Sequence, residues 1–117
     1  MKRIIYDDNV LDYLDSLIDI LFDKEYFSFY ESSEKYVDGI LDFVEENIFV
    51  KSKKVAPKYF NRYGKNLFYI FYKPNKRTTW FIFFQLKDNV YLIKYITNNH
   101  VSGSHIRGLK GNSLISL

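Results

Sequence analysis

Apolar residues recur at helical spacing along the first fifty positions of the chain. Val10, Leu11, Leu14, Leu17, Ile18, Leu21 and Phe22 fall three, four and seven apart, one stripe of a helix over about residues 8 to 24. Asp8, Asp12, Asp15, Asp19 and Asp23 lie mostly off that stripe and read as a solvated face. Asp7 or Asp8 is placed to cap this helix, because a carboxylate accepts the free amides of a first turn. Phe29, Tyr36, Val37, Ile40, Leu41, Val44 and Ile48 make a second stripe, opened by the capping-box pair Ser28 and Glu31. Only a short break near Tyr26 and Phe27 separates the two helices, which predicts antiparallel neighbours. Gly39 inside the second costs about 1 kcal/mol relative to alanine, a cost that a close backbone crossing would offset.

After a basic connection running from Lys51, Lys53 and Lys54 through Pro57 to Asn66, the period changes. Leu67 to Lys73, Thr79 to Leu86 and Val90 to Thr97 are β-branched or aromatic runs separated by Pro74-Asn75-Lys76-Arg77 and Lys87-Asp88-Asn89. Short turn-forming links of this kind predict consecutive antiparallel hairpins. Aromatic residues on both faces of Trp80 to Phe84 mark a central strand with one face buried and the other covered or used. With Arg3 to Tyr6 as a short leading strand, the fold class is α+β: an antiparallel helix hairpin packed on a three- to four-stranded, mainly antiparallel sheet. One domain is expected over residues 1–100, followed by a Gly/Ser-rich tail over 101–117.

Composition narrows the functional classes. The 117 residues contain no cysteine, which excludes disulfide scaffolds, thiol catalysis and cysteine zinc sites. No apolar run approaches the about 20 residues that span a bilayer, and Asp7 and Asp8 interrupt any leader after Lys2 and Arg3. A cytoplasmic protein without a membrane partner is expected. The net charge of +3 conceals a division: residues 1–48 hold thirteen acids against four bases, a formal −9, whereas residues 49–117 hold thirteen bases against the single acid Asp88, a formal +12. Such a bipolar chain is built to meet something anionic with its second half. His100 and His105, five residues apart with no carboxylate or cysteine beside them, do not read as metal ligands.

The element order, with its bases gathered in the sheet half, resembles the RelE/ParE superfamily of type II toxin–antitoxin toxins over about residues 2 to 100. The likeness extends to the block Ala56-Pro57-Lys58-Tyr59-Phe60-x-Arg62-Tyr63-Gly64-Lys65-Asn66-Leu67-Phe68-Tyr69, to a strand containing Trp80, and to Tyr95-Ile96-x-Asn98-Asn99-His100. The resemblance implies a bacterial toxin that inhibits translation by ribosome-dependent cleavage of messenger RNA, with no metal or other cofactor, and a cognate antitoxin that covers the basic groove. Its gyrase-poisoning branch, acting on DNA gyrase, is the alternative, and a non-catalytic basic binding module is a third reading.

Metal-free cleavage of a phosphodiester needs a group to take the ribose 2′-hydroxyl proton, cations for the charge on phosphorus, and an acid for the leaving oxygen. The resemblance puts His100 in the acid/base role, with Lys73, Arg77 and Lys94 on the phosphate. Where the family generally carries arginine near the start of the middle strand, this chain has Trp80. Arg62, Lys65, Lys76, Trp80 and Asn98 are the expected nucleic-acid contacts, Trp80 by stacking on an exposed base. Strict alternation sets Lys94, Asn98 and His100 on one side of the last strand. Within the set Tyr59, Phe60, Tyr63, Tyr69 and Trp80, one or two rings are expected to line a groove or receive an antitoxin helix.

Overall fold

A computed structural model of the chain describes residues 1–106. Strand β1 (Arg3–Tyr6) passes through Asp7 into helix α1 (Asp8–Asp23). Asp7 is the cap: its carboxylate accepts from the Asn9 amide at 3.2 Å. Val10, Leu14, Leu17 and Leu21 are buried as the stripe requires, while Leu11 and Phe22 at its margins stay exposed. Helix α2 (Tyr30–Asn47) starts one residue later than a Ser28 cap would place it. Its cap residue is Phe29, in extended backbone with no side-chain hydrogen bond, so Ser28 and Glu31 do not form the box. Phe29 is also 69% exposed and is no part of the buried stripe. Gly39 faces a side chain rather than a crossing backbone: a Cβ built there would meet the Tyr72 hydroxyl at 3.4 Å.

The sheet has five strands in the order β1-β5-β4-β3-β2, formed by β2 (Lys54–Val55), β3 (Phe68–Tyr72), β4 (Trp80–Lys87) and β5 (Val90–Asn98) with β1. β1 runs parallel to β5; every other pairing is antiparallel. The strand beyond the expected three or four is β2, whose two residues are too few to show any period.

Side chains sort onto the two faces by alternation. Ile70, Trp80, Ile82, Phe84, Tyr91, Ile93 and Ile96 meet the apolar faces of α1 and α2 in the main core. Phe81, Phe83 and Tyr69 point the other way, where Phe60 from the 3₁₀ segment Lys58–Tyr63 and Ile106 close a second, smaller core. The central strand is therefore buried on both faces, which explains its uninterrupted aromatic run.

One irregularity sets the geometry of the last strand. Phe83 pairs with Tyr95 but Phe84 pairs with Ile93, so Lys94 is an extra residue, a β-bulge. Before it, odd-numbered residues of β5 face the helices; after it, even-numbered ones do.

Beyond β5, α3 (Asn99–Ser102) and a 3₁₀ turn (Gly103–His105) fold back on the sheet. Ser102 is buried with its hydroxyl 3.1 Å from that of Thr97, and Ile106 is 4% exposed. Packed chain thus continues past residue 100, where the tail was expected to begin; residues 107–117 of that tail lie outside the described residues.

Candidate functional site

The expected site residues gather at two places. The first is the β3–β4 turn. There the Asn75 carboxamide oxygen accepts from the amides of Arg77 and Thr78, both at 2.9 Å, closing a local turn of the kind asparagine favours. The turn is fastened to the end of β5: Thr79 donates its amide to the Asn99 side chain at 2.8 Å, and Asn99 donates to the Arg77 carbonyl at 3.1 Å. Asn98, in extended backbone, caps α3 by accepting from the amides of His100 and Val101 at 2.9 and 3.1 Å. That cap holds the His100 imidazole against the turn, Nε2 lying 3.2 Å from the hydroxyl of buried Thr78. Nδ1 is buried with no hydrogen-bond partner among the described residues. Lys73, Lys76 and Arg77 are exposed on the same turn. An imidazole is thus fastened to the foot of a turn whose exposed side chains include three cations, residue types suited to proton transfer next to a phosphate.

The second place is a cleft of about 500 Å³ between the start of α1, the bulge in β5, the end of the 3₁₀ segment and α3. Lys94 and Arg62 line it. Lys94 Nζ sits 3.0 Å from Asp7 Oδ2, the one ion pair among the described residues. The hydrogen bond from Lys94, then that from the Asn9 amide, holds the Asp7 carboxyl below its ordinary value. Arg62 lays its guanidinium 4.0 Å from the centre of the Tyr59 ring and donates Nε–H to the Tyr59 carbonyl at 3.1 Å. Tyr63 and Tyr95 stack at 3.7 Å and 7°. The neighbouring Tyr95 hydroxyl, then burial, pushes the Tyr63 phenol up to about 12. Tyr13, at the same cleft, is pushed up to about 12 by burial first and nearby tyrosines second.

The geometry corrects several expectations. Trp80 does not offer a stacking face: it is fully buried and donates its indole N–H to the Tyr36 hydroxyl at 2.9 Å. Asn98 is 5% exposed and committed to capping α3, so it makes no nucleic-acid contact. Lys94 is not set on one side with Asn98 and His100 by alternation, because it is itself the bulged residue, outside the ladder that runs from Tyr95 to Asn98, and α3 begins at Asn99. Lys94 also lies four residues from Asn98, roughly 13 Å along an extended strand. Lys65 is exposed near the cleft, its carbonyl accepting from Gln85 at 3.0 Å. Of the five rings expected to supply a groove, Phe60, Tyr69 and Trp80 are core, while Tyr63 lines the cleft and Tyr59 carries Arg62 on one side of its environment and His105, stacked at 3.5 Å and 4°, on another.

Residues that pattern reasoning missed are Thr78 and Asn99 at the turn and Asp7, Tyr13 and Tyr95 at the cleft. Asn75 had a signal in Pro-Asn turn chemistry; Asp7 was absorbed by its role as a cap. No helix among the described residues is long and apolar enough to cross a membrane. Compared with protein-family models, with curated proteins and with solved structures, the chain matches none.

Proposed function

We propose that the chain is the toxin of a type II toxin–antitoxin pair, of RelE/ParE kind, and that it cleaves messenger RNA on the ribosome in the bacterial cytoplasm. The observation that carries this reading is the seating of His100 against Thr78 at the foot of a turn bearing Lys73, Lys76 and Arg77. In that mechanism His100 exchanges the proton of the 2′-hydroxyl or of the leaving oxygen, and Lys73 and Arg77 hold the charge that develops on the phosphate. Lys76 and, farther off, Arg62 and Lys65 draw in the strand. Lys94, paired with Asp7, has no part at the turn. The chemistry needs neither metal nor cofactor, and the antitoxin is the partner that covers and neutralises the basic half.

Induced expression in a bacterial host tests this. Wild-type chain arrests growth and leaves new cuts within translated codons by primer extension; His100→Ala slows cleavage roughly a hundredfold or more. Full arrest by the His100→Ala chain overturns the catalytic assignment. The buried tryptophan in place of a strand arginine favours a second reading, poisoning of DNA gyrase. A DNA-damage response without messenger cleavage supports that one instead.

A further inference from the structure

We propose that the cleft beside the bulge is a second ligand site, separate from the turn, and that it takes a nucleotide: phosphate on Arg62 and Lys94, base among the tyrosines, and neutral donors of sugar or base on Asp7. The cleft shares Arg62 with the toxin reading, but Lys94, which has no part at the turn, belongs to the cleft alone. Four observations converge on it. The bulge is the one break in the β4–β5 register, and it sits where Lys94 and Tyr95 enter the cleft; bulges of this kind re-aim side chains beside functional sites. Lys94 is then fixed by Asp7, each side chain about one-quarter exposed, so a charged pair is kept at a concave surface and not on an open face.

The volume of about 500 Å³ lies within the range of small-molecule sites. The lining also has the right chemical mixture. Arg62 and Lys94 suit an anion: Arg62 spends Nε–H on the Tyr59 carbonyl and still has the N–H donors of its two terminal nitrogens. Asp7, paired with Lys94 through one oxygen, keeps acceptor capacity for the hydroxyl and amino groups that a nucleotide carries. Tyr13 and the Tyr63–Tyr95 stack supply flat aromatic walls for a planar base. The α1 amino terminus, whose cap is Asp7, opens onto the same space and adds its partial positive charge.

The ligand is either a free mononucleotide or one nucleotide of a single strand, and two probes separate the sources. Adenosine 5′-monophosphate and a short single-stranded RNA are titrated calorimetrically into the full chain. Saturable binding of the mononucleotide, weakened about tenfold by Arg62→Ala and again by Lys94→Met, supports the site and a free ligand. Binding of RNA alone, with the same dependence on Arg62 and Lys94, supports the site and places its nucleotide in a strand. Arg62 is exposed, so its variant folds whatever Lys94→Met does. Mononucleotide binding is expected to be indifferent to Lys73→Ala and Arg77→Ala, which act at the turn. Absence of saturable binding by either probe overturns the proposal, as does binding that Lys73→Ala and Arg77→Ala abolish and Arg62→Ala leaves intact. Capture of an acidic peptide with no nucleotide binding overturns it too.

Discussion

Trp80 places its entire side chain in the main core and hands its only polar atom to Tyr36. Both consequences can be measured. Trp80→Phe removes the donor and some volume and is expected to cost roughly 1–2 kcal/mol in urea unfolding; Trp80→Ala opens a cavity and is expected to cost about 3–5 kcal/mol. Because the ring never reaches solvent, Trp80→Phe leaves RNA affinity unchanged, whereas a stacking role predicts its loss. Tyr13 governs a different response. Burial favours its neutral phenol, so the folded chain releases that proton near 12 and the unfolded chain near the ordinary 10.0. Between those values the folded state binds more protons, and stability falls as pH rises. Tyr63 and Tyr6 act in the same direction. Unfolding midpoints measured from pH 9 to 12 are expected to decline, and Tyr13→Phe to flatten part of the decline.

At the scale of elements the bulge is the decisive feature. Since Lys94 is surplus to the ladder, deleting it joins Ile93 directly to Tyr95 and keeps every other β4–β5 pair on its present face. Deletion of Lys94 is therefore expected to cost no more than about 2–3 kcal/mol, while deletion of Thr97 shifts the strand end by one residue and unfolds the domain. Circular dichroism melts of the two variants check this. The helices and three long strands were legible because each carries a sustained period. The bulge was not, because nothing in Ile93-Lys94-Tyr95 distinguishes an extra residue from a regular one, and the predicted shared face of Lys94, Asn98 and His100 failed with it. The second core was hidden for a related reason: alternation shows that Phe81 and Phe83 face away from Trp80 and Ile82, but not that Phe60 comes back to cover them. At the candidate site, the sequence located the basic turn and His100, but the hydrogen bonds from Asn75, Thr78 and Asn99 that assemble it depend on tertiary contact.

Across the whole molecule, charge of opposite sign is kept apart. The chain carries seventeen bases and fourteen acids, yet a single ion pair forms among the described residues. Acidic side chains follow the helix hairpin and basic ones the sheet, so an approaching polyanion is attracted to one pole and repelled by the other. Affinity for single-stranded RNA is accordingly expected to fall linearly on a log–log plot against salt. Each lost phosphate contact lowers that slope by about 0.7, and the triple variant Lys73→Ala, Lys76→Ala, Arg77→Ala by about 2. Fluorescence anisotropy at graded salt measures it; an unchanged slope removes the turn from the contact surface.

The parallel pairing of β1 with β5 joins Ile4 to Tyr91 and Tyr6 to Ile93. During synthesis the first strand leaves the ribosome long before its partner exists, a delay of about 4–17 s at roughly 5–20 residues per second. For all of that interval the edge of β1 is unsatisfied and the sheet incomplete. The sheet is thus closed only after synthesis has passed Asn98, and the basic half of the chain is the last to acquire its framework.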